Sequence, residues 1–147
     1  MISVRALGAA DYVDWRPLWD GYCAFYRARV PELATAATWA AAIDPDKPIW
    51  GRVACLDDGK LAGFSLSVVH PTTWKSEPSC YLEDLFVVQE ARGMGIGRAL
   101  IEDLLTLTQK RGYSRLYWHT HADNAAARRL YDRYGQADGF VRYQLEL

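Results

Sequence analysis

Hydrophobic residues recur along this chain with two different periods. Between Asp11 and Arg29, Tyr12, Trp15, Trp19, Tyr22, Cys23 and Tyr26 return at steps of three and four, the spacing of an amphipathic helix. Pro17 falls inside that stretch and predicts a kink or a later start, because proline removes a backbone donor; Pro31 closes it. Thr35 to Ile43 predicts a second short helix, stopped before Pro45. Ile2 to Leu7 alternates weakly and predicts a short strand ending at Gly8. Ile49 to Leu56 and Lys60 to Val69 predict two strands joined by Asp57-Asp58-Gly59, a strong hairpin signal. Cys80 to Val88 is the next strand. Gly95 to Arg111 is the longest helix, with Ile96, Leu100, Leu104 and Leu107 on one face and Gly112 as its stop. Ser114 to Thr120 predicts a strand, Asn124 to Tyr134 a helix, and Phe140 to Leu147 a final alternating strand. This order predicts an α+β (mixed α/β) fold over residues 1–147, one domain with a mixed, mostly antiparallel sheet and flanking helices.

One turn carries more chemistry than the rest. Arg92-Gly93-Met94-Gly95-Ile96-Gly97-Arg98 lies between a strand end and a helix start. Backbone N–H groups are unpaired there and the helix dipole is positive, which makes an anion site, most often for phosphate. Glycines let the backbone approach the anion and curve into a nest, and Arg92 and Arg98 add charge-assisted donors. The spacing Gly93, Gly95, Gly97 is not the G-x-G-x-x-G of dinucleotide sites, and Ser114-Arg115-Leu116 stands where their acidic residue would be. No Lys or Thr follows Gly97, so this is no P-loop. A strand-to-helix turn without a ligand is the plainer alternative.

Composition narrows the field. The chain has 147 residues and a formal net charge of −1, with no basic run, which argues against nucleic acid as the main partner. No apolar run approaches a membrane span, and the N-terminus does not read as a signal peptide. Cys23, Cys55 and Cys80 are odd in number, scattered and without metal spacing, so they read as small apolar residues in a reducing, cytoplasmic setting. Six tryptophans and nine tyrosines exceed the needs of so small a core, so some are expected at a pocket.

The glycine turn, read as R-x-x-G-x-G, resembles the [Q/R]-x-x-G-x-[G/A] signature of the GCN5-related N-acetyltransferases, the GNAT superfamily. Asn124-Ala-Ala-Ala-Arg-Arg-Leu-Tyr131-Asp-Arg-Tyr-Gly135 is similar to its N-x-x-A-x-x-L-Y-x-x-x-G block. Tyr81-Leu-Glu83-Asp84-Leu-Phe-Val87 and Trp19-Asp-Gly-Tyr22-Cys-Ala-Phe-Tyr26 resemble the polyamine, diamine and histone/polyamine acetyltransferase-like group. The resemblance covers nearly the whole chain and implies the GNAT fold, acetyl-CoA as donor and a primary amine as acceptor. It implies that Arg92, Gly93, Met94, Gly95, Ile96, Gly97 and Arg98 hold the pyrophosphate. Leu85, Phe86 and Val87 would offer backbone groups to the pantetheine arm, and Asn124 and Ala127 would touch the cofactor. It carries the general-acid role onto Tyr131. Family members usually have two strands after the last helix, whereas one is expected here after an irregular Gln136-Ala137-Asp138. Relatives of this shape dimerise through that region, which implies a homodimer.

The reaction sets two proton problems. An alkylammonium, with a pKa near 10.4, must lose a proton before it attacks, and the departing thiolate benefits from gaining one. Glu83 is the candidate base, directly or through a water, and Asp84 the candidate contact for a cationic substrate. Alternation along a strand points Glu83 and Asp84 to opposite faces unless a bulge intervenes. Tyr131 is two helical turns beyond Asn124, on the same side, while Asn124 is also an ordinary helix N-cap. Trp19, Tyr22 and Tyr26 suit either an acceptor pocket or the core. His119 and His121 share a face, but no ligand cluster completes a metal site, and structural or surface roles are expected. The reading is an acetyl-CoA-dependent N-acetyltransferase acting on a cationic small-molecule amine such as a diamine, a polyamine or a lysine-like compound. The alternatives are a catalytically silent acyl-CoA-binding or regulatory domain, a nucleotide-binding module, and a protein lysine or N-terminal acetyltransferase.

Overall fold

A computed structural model describes residues 1–147. In chain order the elements are β1 (Ser3–Ala6), α1 (Tyr12–Phe25), α2 (Glu32–Ala42), β2 (Ile49–Cys55), β3 (Leu61–His70), β4 (Ser79–Val87), α3 (Ile96–Lys110), β5 (Arg115–Trp118) and α4 (Ala125–Tyr131). The five strands form one sheet in the order β1-β2-β3-β4-β5. The first four pair antiparallel and β5 joins β4 in parallel, as a right-length crossover through α3 requires. No helix is long and apolar enough to cross a membrane.

Helices cover both faces. On one side α1 and α2 lay Trp15, Leu18, Trp19 and Ala42 against Val53, Phe64 and Leu66. On the other, Ile96 and Leu100 of α3 meet Ala54 and Ala62, while Ile101 and Leu104 meet Leu82. Most of the aromatic surplus is spent on the first side. Trp15 is fully buried, packs 5.0 Å from Trp39 and 5.9 Å from Phe64, and stacks on Trp19 at 5.5 Å. Trp19 Nε1 donates to the buried Thr35 Oγ1 at 3.0 Å, which ties α1 to α2.

Three expectations are corrected. Helix α1 runs through Pro17 without interruption. It ends at Phe25, well before Pro31, in a Schellman turn: Ala28 N–H donates to Cys23 O and Arg27 N–H to Ala24 O, with Arg27 at φ 52°. The left-handed conformation is costly for arginine and fixes the direction in which Tyr26 leaves the helix. Helix α2 begins at Glu32, directly after Pro31. The expected strand Phe140–Leu147 does not form. Residues 135–147 are irregular, and Phe140, Val141, Tyr143, Leu145 and Leu147 are all at least 76% exposed. An alternating octapeptide becomes a strand only where a neighbouring edge supplies backbone partners. No such edge accepts this one within the chain.

The Trp19–Thr35 contact gives a stability test. Thr35→Val keeps the shape but leaves a buried indole N–H unpaired. Urea unfolding is expected to register a loss of about 1–3 kcal/mol.

Candidate active site

The site arises where two strands separate. β4 and β5 pair only from Ser79 opposite Arg115 to Leu82 opposite Trp118. From Asp84 to Val87, β4 keeps its β3 partners and has no strand on its other side. A bulge sits at the same place. Leu66 pairs with Asp84 and Ser67 with Leu82, so Glu83 is the extra residue. The bulge resets the alternation. Leu82 points toward α3, whereas Tyr81, Asp84 and Phe86 lie on the α1 side. The two adjacent carboxylates thereby reach one region, Glu83 exposed and Asp84 half-buried.

Tyrosines close around Asp84. Tyr22 and Tyr26 of α1 meet at 5.0 Å, and Tyr22 leans on Phe86 at 6.2 Å. Burial pushes the Asp84 carboxyl up to about 6; the Tyr22 hydroxyl partly offsets this, and the charge of Glu83 adds to it. The phenols of Tyr22 and Tyr26 are raised by burial and then by the charge of Asp84. Tyr131, at the last turn of α4, packs edge-on against Trp118 at 5.4 Å on the α3 side. Its phenol is raised by burial, then by Tyr26, so it stays protonated at neutral pH. The opening between β4 and β5 lets Tyr131, from one face of the sheet, approach Tyr26 on the other.

The glycine turn lies beside this opening. Gly93 and Gly95 take φ of 81° and 87°, values that L side chains rarely adopt, and Gly95 caps α3. Nothing stands within 4 Å of where their Cβ atoms would be, so the concavity is open to a ligand. Gly97 differs: a Cβ there would lie 3.5 Å from Leu130 and 4.0 Å from Val87. Met94 is exposed and Ile96 is buried. The two arginines each make one hydrogen bond through Nε. Arg92 Nε donates to Val87 O at 3.1 Å, and its guanidinium lies 5.4 Å from the Phe25 ring and 5.9 Å from the Phe86 ring. Arg98 Nε donates to Glu102 along α3 at 2.7 Å. Asn124 is the N-cap of α4, with Oδ1 accepting from Ala127 N–H at 3.3 Å.

The structure thus gathers Glu83, Asp84, Tyr22, Tyr26 and Tyr131 around one opening, with the turn and the free edge of Leu85–Val87 next to it. Sequence reasoning gave no place at this opening to His119 and His121. Both are exposed; His119 meets Tyr81 and His121 meets Tyr26, on the α1 side. The parity that put them on one face was legible, but the end of β5 at Trp118 was not. No three His, Cys, Asp or Glu side chains form a metal-ligating group.

Comparison with known proteins gives the family and the fold. The sequence model described as the acetyltransferase (GNAT) family matches residues 15–136. The D-amino-acid N-acetyltransferase HPA3 of Saccharomyces cerevisiae is 33% identical over 144 residues, covering 97% of this chain and 89% of that protein. The thialysine N-epsilon-acetyltransferase of Bos taurus is 33% identical over 78 residues, 53% of this chain and 45% of that one. Among solved structures, AAC(6')-Iy in complex with the bisubstrate analogue CoA-S-monomethyl-acetylneamine superposes with a TM-score of 0.83 at 18% identity. It covers 100% of this chain and 99% of that one. The family model and the full-length yeast relative together show that this chain belongs to the GNAT family of N-acetyltransferases, enzymes that use acetyl-CoA.

Proposed function

We propose that the chain acetylates a primary amine that is positively charged in solution, on a small molecule such as a diamine, a polyamine or a lysine-like compound. The relatives named for D-amino acids and for thialysine support a small acceptor. The observation that carries the reading is the juxtaposition of two carboxylates and a protonated tyrosine at a break in the sheet.

The parts divide as follows. Backbone amides of the 93–97 turn and the N-terminus of α3 receive the CoA pyrophosphate. The unpaired edge of Leu85–Val87 takes the pantetheine arm as a strand takes its neighbour, and one of its amides polarises the thioester carbonyl. Asn124 and Ala127 keep α4 against the cofactor. The ammonium approaches from the α1 side, held by Asp84 and the faces of Tyr22 and Tyr26. Glu83, exposed on the bulge, accepts the amine proton directly or through a water and passes it to solvent. The neutral amine attacks the thioester carbon, the C–S bond breaks, and Tyr131 gives its proton to the departing thiolate.

The same reading includes a homodimer. It is supported by the exposed apolar residues of the segment after Gly139, whose backbone finds no sheet partner in its own chain. Light scattering at tens of micromolar is expected to give a dimer mass, and deletion of residues 140–147 a monomer. A monomeric full-length chain overturns this part.

The acid and the base are separable by kinetics. Tyr131→Phe removes one hydroxyl and keeps the ring. Its kcat should fall by about 10²–10⁴-fold with little change in KM for acetyl-CoA, the pattern of an interaction made only in the transition state. Glu83→Gln should also slow turnover, by an amount that shrinks at high pH, where more amine is already neutral. Near-normal kcat in Tyr131→Phe with an accepted amine rules the tyrosine out as acid.

Asp84 links function to stability. Its carboxyl is raised from 3.8 to about 6, so the native state binds more protons than the unfolded chain between about pH 4 and 6. Stability therefore falls as pH rises through that window. Asp84→Asn should lack this fall, stabilise the free protein by about 1–3 kcal/mol at pH 7, and raise KM for the amine. Thermal unfolding from pH 4 to 8 and steady-state kinetics check the two halves.

A further inference from the structure

Two imidazoles stand across the opening from the carboxylates, and the acetyl transfer described above gives them no task. His119 Nδ1 lies 3.2 Å from the Tyr81 hydroxyl, and its ring meets Tyr81 edge-on at 5.3 Å. His121 packs 6.4 Å from Tyr26. Both tyrosines fix rings that are otherwise exposed. When the Tyr81 hydroxyl donates to Nδ1 of His119, Nε2 carries the ring proton and is left as a donor.

His119 follows Trp118 as Glu83 follows Leu82, so the two stand level across the first unpaired step of the sheet. One bank of the opening accepts hydrogen bonds and the other donates them. The banks do not neutralise each other. The side-chain ion pairs of the chain lie elsewhere, at Arg5–Asp11, Arg16–Asp20, Arg16–Glu32, Arg52–Asp103, Lys60–Asp58 and Arg98–Glu102. Paired strands run about 4.8 Å apart, so banks that have just begun to part are bridged by a small molecule. A diamine answers only the acidic bank and brings a second ammonium to a bank of donors. An ammonium and a carboxylate a few bonds apart answer both.

We propose that His119 and His121 bind the carboxylate of the acceptor, so that the acceptor is an amino acid acetylated on its α-amine. This rests on the acetyl-transfer reading and selects among the amines it admits. Behind His119, the stacked rings of Tyr81 and Tyr117, 5.0 Å apart, give the amino-acid side chain an apolar floor.

The test compares alanine, phenylalanine and lysine, each as both enantiomers, with their carboxamides and with 1,4-diaminobutane. A carboxamide keeps the amine and loses the negative charge. For at least one pair, kcat/KM should favour the acid by about tenfold or more, the scale of a charge-assisted hydrogen bond. The product should be the α-N-acetyl compound. In His119→Phe/His121→Phe the acid-to-amide ratio should fall to about one. Equal rates for acid and amide, a preference for 1,4-diaminobutane, or a ratio unchanged in the double variant overturns the inference and leaves the acetyl-transfer reading standing. Turnover of none of these amines, with acetyl-CoA still bound by calorimetry, removes both.

Discussion

The structure depends on a sheet whose last two strands, β4 and β5, part halfway along. A backbone edge left without a partner costs free energy unless water or a ligand satisfies it. Here β4 gives up its neighbour after Leu82, next to a buried core, and the free edge runs from the bulge at Glu83 to the glycine turn. The strand thus ends with unpaired groups shortly before the glycine turn. The core elements hold the break open. α3 anchors the turn with Ile96 and Leu100, and α1 covers the far side with Tyr22 over Phe86.

The break also brings together groups from the two faces of the sheet. Tyr131 belongs to the α3 side and Asp84 to the α1 side, and in a continuous sheet the strands would separate them. Burial acts on both in the same direction, against the charged form. Burial holds Tyr131 protonated and makes the Asp84 charge expensive to keep. Glu83, one residue earlier and exposed, keeps contact with solvent. Two adjacent carboxylates thus receive different surroundings from one inserted residue.

Most of the architecture was legible because its periodicities are strong. The hairpin at Asp57–Gly59, the long helix α3 and the crossover all follow from pattern. The glycine turn was legible as a tight strand-to-helix turn because its conformation demands glycine at 93 and 95. What escaped depends on partners distant in sequence. The segment 140–147 has the pattern of a strand, and pattern does not say whether an edge is free to receive it. Pro17 sits where a lone helix would break, yet burial of Trp15, Leu18 and Trp19 outweighs the lost hydrogen bond.

The third glycine of the turn serves a different purpose from the other two. Gly97 has ordinary helical backbone, and a methyl group there would rest in ordinary contact with Leu130, 3.5 Å away, and Val87, 4.0 Å away. Leu130 precedes Tyr131 on α4, and Val87 ends the free strand. A side chain added at 97 would therefore bear on the last helix and on the end of β4 at once, whereas one added at 93 or 95 would meet only open space.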